Sequence, residues 1–220
     1  MDLLIEVVTV TQWAQNCSIL HPPGGGPAVL IDPGGEIDRV METAERVGAD
    51  IQAILITHGH IDHIGGLNEA IAATGAPTYF HPDDRWLFEE GMWTGSNNGE
   101  AIGVPSDSHL LSDEQELEVA GIRFKVLHTP GHSPGHVCFW VEDVGDPLLI
   151  GGDLIFMGSI GRTDLPRANF RDLIDSVRNK IWVLPDSTTI LPGHGQATTI
   201  GFEKKVNPFV SLDALEDLAG

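Results

Sequence analysis

The chain has 220 residues, with 12 Lys and Arg against 32 Asp and Glu, a formal charge of −20 with His neutral. So few cations cannot track a phosphate backbone or hold the chain on anionic lipid, which argues against a nucleic-acid binder and against general attraction to membrane surfaces. An apolar share of 41% is ordinary for a globular protein, and the length gives room for one domain, residues 1–220, with a substantial core.

Leu3–Val10 is rich in β-branched residues and reads as a strand. Asn16–His21 and Ala28–Asp32 read as two more, joined by a Pro- and Gly-rich connection and closed by Asp32-Pro-Gly-Gly. In Glu36–Val47, Ile37, Val40, Met41, Ala44 and Val47 share one helical face that stops at Gly48. Ile51–Thr57 is a short buried strand, followed by a helix at Asn68–Thr74, a strand at Pro77–Phe80 and a helix at Asp83–Trp93. Thr94–Ser108, rich in Gly, Ser and Asn, reads as a plain surface connection, with a mobile loop as the alternative. Glu116–Val119 and Ile122–His128 form a strand pair across Ala120-Gly121, and His136–Val141 and Pro147–Ile150 continue it. Asn169 caps a helix whose apolar face carries Phe170, Leu173, Ile174, Val177 and Ile181, and Thr188–Leu191 is the last strand. The order, strands before helices in two rough halves, predicts two packed sheets with helices outside.

Cys17 and Cys138 are the two cysteines and make no disulfide framework. The N-terminus has no basic stretch followed by an apolar one, and no apolar run is long enough for a membrane span, so a cytoplasmic location is expected. Ten histidines, nearly as many as all Lys and Arg, are the unusual count. Five of them, with two acids, fall at the C-terminal ends of expected strands. His58-Gly-His60-Ile-Asp62-His63 follows the Ile51 strand, His132 the Ile122 strand, Asp153 the Pro147 strand and His194 the Thr188 strand. Strand ends of a layered α/β fold converge on one edge, where sites are built. In an extended stretch His58 and His60, two apart, point the same way and can share one cation, while Asp62 and His63 can face a second. His128 and His136 read as structural or supporting, and His21, His81 and His109, beside Pro or polar residues, as solvent-facing.

Thr57-His58-Gly-His60-Ile-Asp62-His63, together with His132, Asp153 and His194, resembles the metallo-β-lactamase fold superfamily, and within it the glyoxalase II-like hydrolases. Thr129-Pro-Gly-His132-Ser-Pro-Gly-His136, Gly152-Asp153-Leu-Ile-Phe156 and Pro192-Gly-His194-Gly carry the resemblance along nearly the whole chain. Gly158–Pro166 and the stretch from Thr198 look like the short single-domain bacterial branch, often described as YcbL-like. The resemblance implies a four-layer αββα sandwich of two mixed sheets. It implies two divalent metal ions, zinc first with iron or manganese as alternatives. His58, His60 and His132 go to one metal, Asp62, His63 and His194 to the other, and Asp153 bridges them. It also implies hydrolysis of a glutathione-derived small-molecule thioester, S-lactoylglutathione or a related acyl-thiol, through a metal-bridged hydroxide, with Asp62 and Asp153 as catalytic carboxylates. Only 26 residues follow His194 (220 − 194), so the family's C-terminal glutathione-binding helical domain is not expected. Arg162 occupies the stretch where the family places a basic glutathione contact; a turn-stabilising pair with Asp164 is its alternative role. A monomer or small homo-oligomer is expected.

Three rival readings attach to the same motif. The sister persulfide dioxygenases with one iron share His-x-His-x-Asp-His, but usually read Pro-Ala-His-Asp-Tyr where this chain has Pro192-Gly-His194-Gly-Gln. A β-lactamase is disfavoured by the bridging Asp153 and the lack of a ligand Cys. A metal-binding module without catalysis has no support while every ligand position is filled.

Overall fold

The computed structural model describes residues 2–91, 101–142 and 144–217. Its first sheet has β1 (Leu4–Val10), β2 (Gln15–His21), β3 (Gly26–Ile31), β4 (Ala49–Leu55), β5 (Thr78–Phe80) and β6 (Ser108–Leu110), side by side in that order. The first three strands are antiparallel neighbours, and from β3 onward the pairings are parallel. The second sheet contains β7 (Glu116–Val119), β8 (Ile122–His128), β9 (Val137–Val141), β10 (Leu148–Gly152) and, after a small hairpin of β11 (Ile155–Phe156) and β12 (Ser159–Ile160), β13 (Thr189–Pro192) and β14 (Thr198–Thr199). Its order is β14-β13-β10-β9-β8-β7, and only the β10–β13 pair is parallel.

Each sheet buries both faces, and alternation along the strands sorts residues between layers. Val29 and Ile31 of β3 and Val126 of β8 point into the core between the sheets, with Phe124 and Phe139 at its centre. Ala28 and Leu30 turn the other way and pack beneath α1 (Ile37–Val47), α2 (Ile61–Ile64) and α3 (Leu67–Thr74), where Phe88 of α4 (Arg85–Glu90) joins them. Leu127, Cys138 and Leu149 face a third layer under α5 (Phe170–Ser176), α6 (Ile200–Val206) and α7 (Leu212–Asp217). Three apolar layers between four structural ones make the αββα sandwich.

The main elements stand where the apolar patterning puts them, with ends shifted by a residue or two. α1 ends on Gly48, whose left-handed backbone (φ 69°) lets its N–H return to the last turn. Asn169 caps α5 by accepting from the N–H groups of Arg171 and Asp172. The expected apolar face holds from Leu173 onward and runs on through a wider π turn, Val177–Ile181, but Phe170 at its start is exposed. The helix expected over Asp83–Trp93 is a 3₁₀ turn, Pro82–Asp84, followed by α4 and closed at Gly91; residues 92 and 93 lie outside the described residues. Of the connection expected over Thr94–Ser108, residues 94–100 also lie outside them, and Ser108 opens β6. Two solvent-facing assignments fail: His21 and His81 are buried, 2% and 8% exposed. His21 ends β2 opposite Leu4, inside the antiparallel pair, and His81 is covered by the ring of His128, 4.0 Å away. His109 is exposed, stacked on Tyr79.

Candidate metal centre

The edge where β4, β8, β10 and β13 end gathers every residue of the expected ligand set. His58, His60 and His132 place one ring nitrogen each within 4.8 Å of one another, and so do ligand atoms of Asp62, His63 and His194. A third group, His58, His63 and Asp153, ties the two together. The Asp153 carboxylate lies between them: Oδ1 is 3.3 Å from His63 Nε2, while Oδ2 is 3.4 Å from His132 Nε2 and 3.5 Å from His194 Nε2. Asp62 Oδ2 sits 3.2 Å from His194 Nε2.

The chain holds these rings by their outward nitrogens. His63 Nδ1 pairs with Asp32 Oδ2 at 2.9 Å, His132 Nδ1 donates to the Arg162 carbonyl at 2.8 Å, and His194 Nδ1 donates to the Trp13 carbonyl at 3.0 Å. That leaves Nε2 of all three facing inward, the arrangement in which an outer hydrogen bond fixes a ligating tautomer. Inside, His58 Nε2, His60 Nε2, His63 Nε2 and Asp153 Oδ1 are buried without a hydrogen-bond partner. His60 turns its other nitrogen to the cluster, Nδ1 lying 2.8 Å from His132 Nε2. The orphaned N and O donors of His58, His63 and Asp153, grouped beside that pair, fit divalent cations, because unpaired buried polar atoms are otherwise costly.

Charge in the pocket is divided unevenly. Burial, and then the neighbouring His63, His60 and His132, push the His58 imidazole well below its ordinary pKa; burial and His132 do the same to His60. Burial also opposes charge on His63, but Asp153, Asp62 and Asp32 outweigh it and raise that ring well above the ordinary value. Burial would raise Asp153, yet His63, His132 and His194 carry it far below the usual carboxylate range. His58 and His60 are thus held neutral, while His63 and the carboxylates around it form a paired set of charges that a cation can displace.

Residues 10–194 match the family Metallo-beta-lactamase superfamily. The chain belongs to that superfamily. Within it, the chain is 37% identical to hydroxyacylglutathione hydrolase GloC of Haemophilus influenzae, over 94% of this chain and 98% of that one. The structure titled BLEG-1 B3 metallo-beta-lactamase superposes with a TM-score of 0.86 at 35% identity, covering 94% of this chain and 99% of that chain. A structure of TTHA1623 in a di-iron-bound form gives 0.81 at 37%, covering 93% and 100%. The superfamily and these relatives support a metal-dependent hydrolase, and among the described residues no helix is long and apolar enough to cross a membrane.

The cleft over the centre, about 290 Å³, has Trp13, Ile61, Phe156 and Leu165 as apolar walls and Arg162 at its rim. Both roles weighed for Arg162 coexist geometrically: it borders the cleft, and its Nε and Nη2 each donate to Asp164 at 2.9 Å. His136 is buried and supports the site from behind, its Nε2 accepting the Asp153 N–H at 3.0 Å and its Nδ1 2.9 Å from the Thr129 hydroxyl. Burial, and then His132, pull its pKa down to about 3, which keeps Nε2 an acceptor. Burial raises the pKa of both cysteine thiols, consistent with packing rather than nucleophilic roles.

Asp32 and Thr57 escaped sequence reasoning. Asp32 accepts from the Thr57 N–H (2.7 Å) and hydroxyl (2.6 Å) as well as orienting His63. The Thr57 carbonyl accepts the Val137 N–H at 2.8 Å, a direct rivet between the two sheets. The available signal was an Asp directly after a buried strand, read only as the start of a turn.

Proposed function

We propose that the chain is a thioester hydrolase of the glyoxalase II type, acting on S-lactoylglutathione or a related acyl-thiol. The observation that carries it is the Asp153 carboxylate set between two His/Asp clusters under an apolar cleft, in a chain 37% identical to a hydrolase named for hydroxyacylglutathione. His58, His60 and His132 would hold one divalent ion and Asp62, His63 and His194 the other, with Asp153 shared. Such ions supply Lewis acidity toward a carbonyl oxygen and a water of low pKa.

The rest falls to the protein. Asp153 lies between the clusters and sets their separation, and Asp62 lines the cleft beside His194. Trp13, Ile61, Phe156 and Leu165 enclose the acyl group and thin out competing water. Arg162, paired with Asp164, meets a carboxylate on the thiol side. The departing thiolate needs no general acid, since a thiol of pKa about 8.5 leaves readily as the anion. The all-N/O donor set suits zinc first, with iron or manganese as alternatives.

The likeness to BLEG-1 favours a second reading, β-lactam hydrolysis in the same cleft. Elemental analysis of purified protein, followed by assays on S-lactoylglutathione and nitrocefin, separates the two. Two ions per chain with thioester turnover supports the proposal. Nitrocefin turnover without thioester turnover replaces it with the second reading. One iron per chain with oxygen uptake on glutathione persulfide overturns both.

A further inference from the structure

The 3₁₀ turn Pro82–Asp84 carries no proposed ligand, yet it touches both loops that supply the first cluster. Asp84 is 1% exposed, and its carboxylate accepts three hydrogen bonds from residues 25 to 51 positions away. Oδ2 takes the Gly59 N–H at 2.9 Å and the Ser133 hydroxyl at 2.6 Å; Oδ1 takes the Gly135 N–H at 2.6 Å. Gly59 lies between His58 and His60, and Ser133 adjoins His132.

The two glycines make this approach possible. A Cβ on Gly59 would come within 2.8 Å of Leu87 Cβ, and one on Gly135 within 2.5 Å of the Asp84 N and 2.7 Å of its Cγ. Each loop is therefore pressed against the same turn with no side chain between them. Past Gly135 the next residue is His136, whose ring accepts the Asp153 N–H. One carboxylate thus governs where His58, His60 and His132 stand, and reaches Asp153 at one remove.

We infer that Asp84 is a positioning residue for the first metal ion, holding the His58-Gly59-His60 and His132–Gly135 loops at the spacing a cation requires. The inference rests on the two-cluster metal centre proposed above. Hydrogen bonds to a charged acceptor are among the stronger ones, and partners at this remove from a metal commonly govern affinity by about 10- to 100-fold. An Asn at this position presents an amide to three donors and cannot accept from all of them.

The test is zinc affinity, measured by competition with a chelating dye, in two backgrounds. His194→Ala disables the second cluster and isolates the first; His132→Ala does the reverse. Asp84→Asn should weaken zinc by about 10- to 100-fold in the first background and by less than about threefold in the second. Equal losses in both would mean general loosening, and no loss in a folded variant would mean no positioning; either overturns the inference. Should Asp84→Asn fail to fold, Ser133→Ala removes one of the three bonds and spares the charge. It should give a smaller loss confined to the first cluster, and no selective loss overturns the inference. A parent chain that takes up no zinc, iron or manganese would instead sink the metal centre itself.

Discussion

His58, His60 and His132 meet edge to face, their ring planes 79° to 86° apart, whereas His81 and His128 lie stacked at 13° with centroids 4.0 Å apart. By distance the two regions look alike, since His81, Asp83 and His128 also bring ligand atoms within 4.8 Å of one another. The difference lies in where the lone pairs point. An imidazole offers its lone pair in the ring plane, so planes that cross steeply can meet at one cation, while rings stacked face to face 4.0 Å apart keep their lone pairs in two separate planes. The supporting bonds agree. In the stacked pair His81 Nδ1 accepts the Asp83 N–H at 3.3 Å, and His128 Nε2 donates to the Pro134 carbonyl at 2.8 Å. Proximity of histidines is a weak sign of a metal site; convergence of orphaned donors is the strong one.

The comparison can be broken most forcefully at its centre. Asp153→Ala removes the carboxylate between the clusters and should lower thioester hydrolysis by about 10³-fold, with metal content falling from two ions to one. Retained turnover, read with metal analysis on the same sample, would mean the clusters act independently. Asp32→Asn leaves every ligand in place but withdraws the charged partner of His63, and should cost about 10- to 100-fold in activity or affinity at the second cluster. An unchanged zinc titration would reduce Asp32 to a structural role. The stacked pair should behave oppositely: His128→Phe should leave the metal count per chain as it was. A lost ion would make that pair a metal site after all.

The smallest effect concerns protons. Burial, and then the ring of His128, lower the His81 pKa to about 4, against the opposing pull of Asp83 and Asp113. An unfolded His binds its proton near pH 6.5, so the unfolded chain gains a proton that the folded chain refuses. Stability from this residue is therefore intact above about pH 6.5 and is lost as pH falls toward about 4. Urea midpoints for His81→Gln should decline less than wild type between pH 7 and pH 5. Parallel curves would remove His81 from the account.

Much of this fold was legible because apolar periodicity reports burial directly. The Ala120-Gly121 hairpin and the α1 face follow from residues that must be covered. The ligand set was legible for another reason: seven N- and O-donor residues at strand ends have few other uses. What was missed was hidden for separate reasons. β11, β12 and β14 are two residues long, too short to show a period. Asp32 and Asp84 resemble ordinary turn acids until their partners, dozens of residues away, are seen. His81 was misplaced because its cover is a single ring from another strand.

Both clusters draw on both halves of the chain: His58 and His60 wait for His132, and Asp62 and His63 wait for His194. The Thr57–Val137 rivet lies between them, at the seam where the sheets dock. A ribosome releasing this chain therefore exposes a pair of histidines and an acid-histidine pair long before either has a closing partner. Under the proposed ligand assignment, tight metal capture waits until the seam has closed, which would leave the choice of ion to the finished pocket.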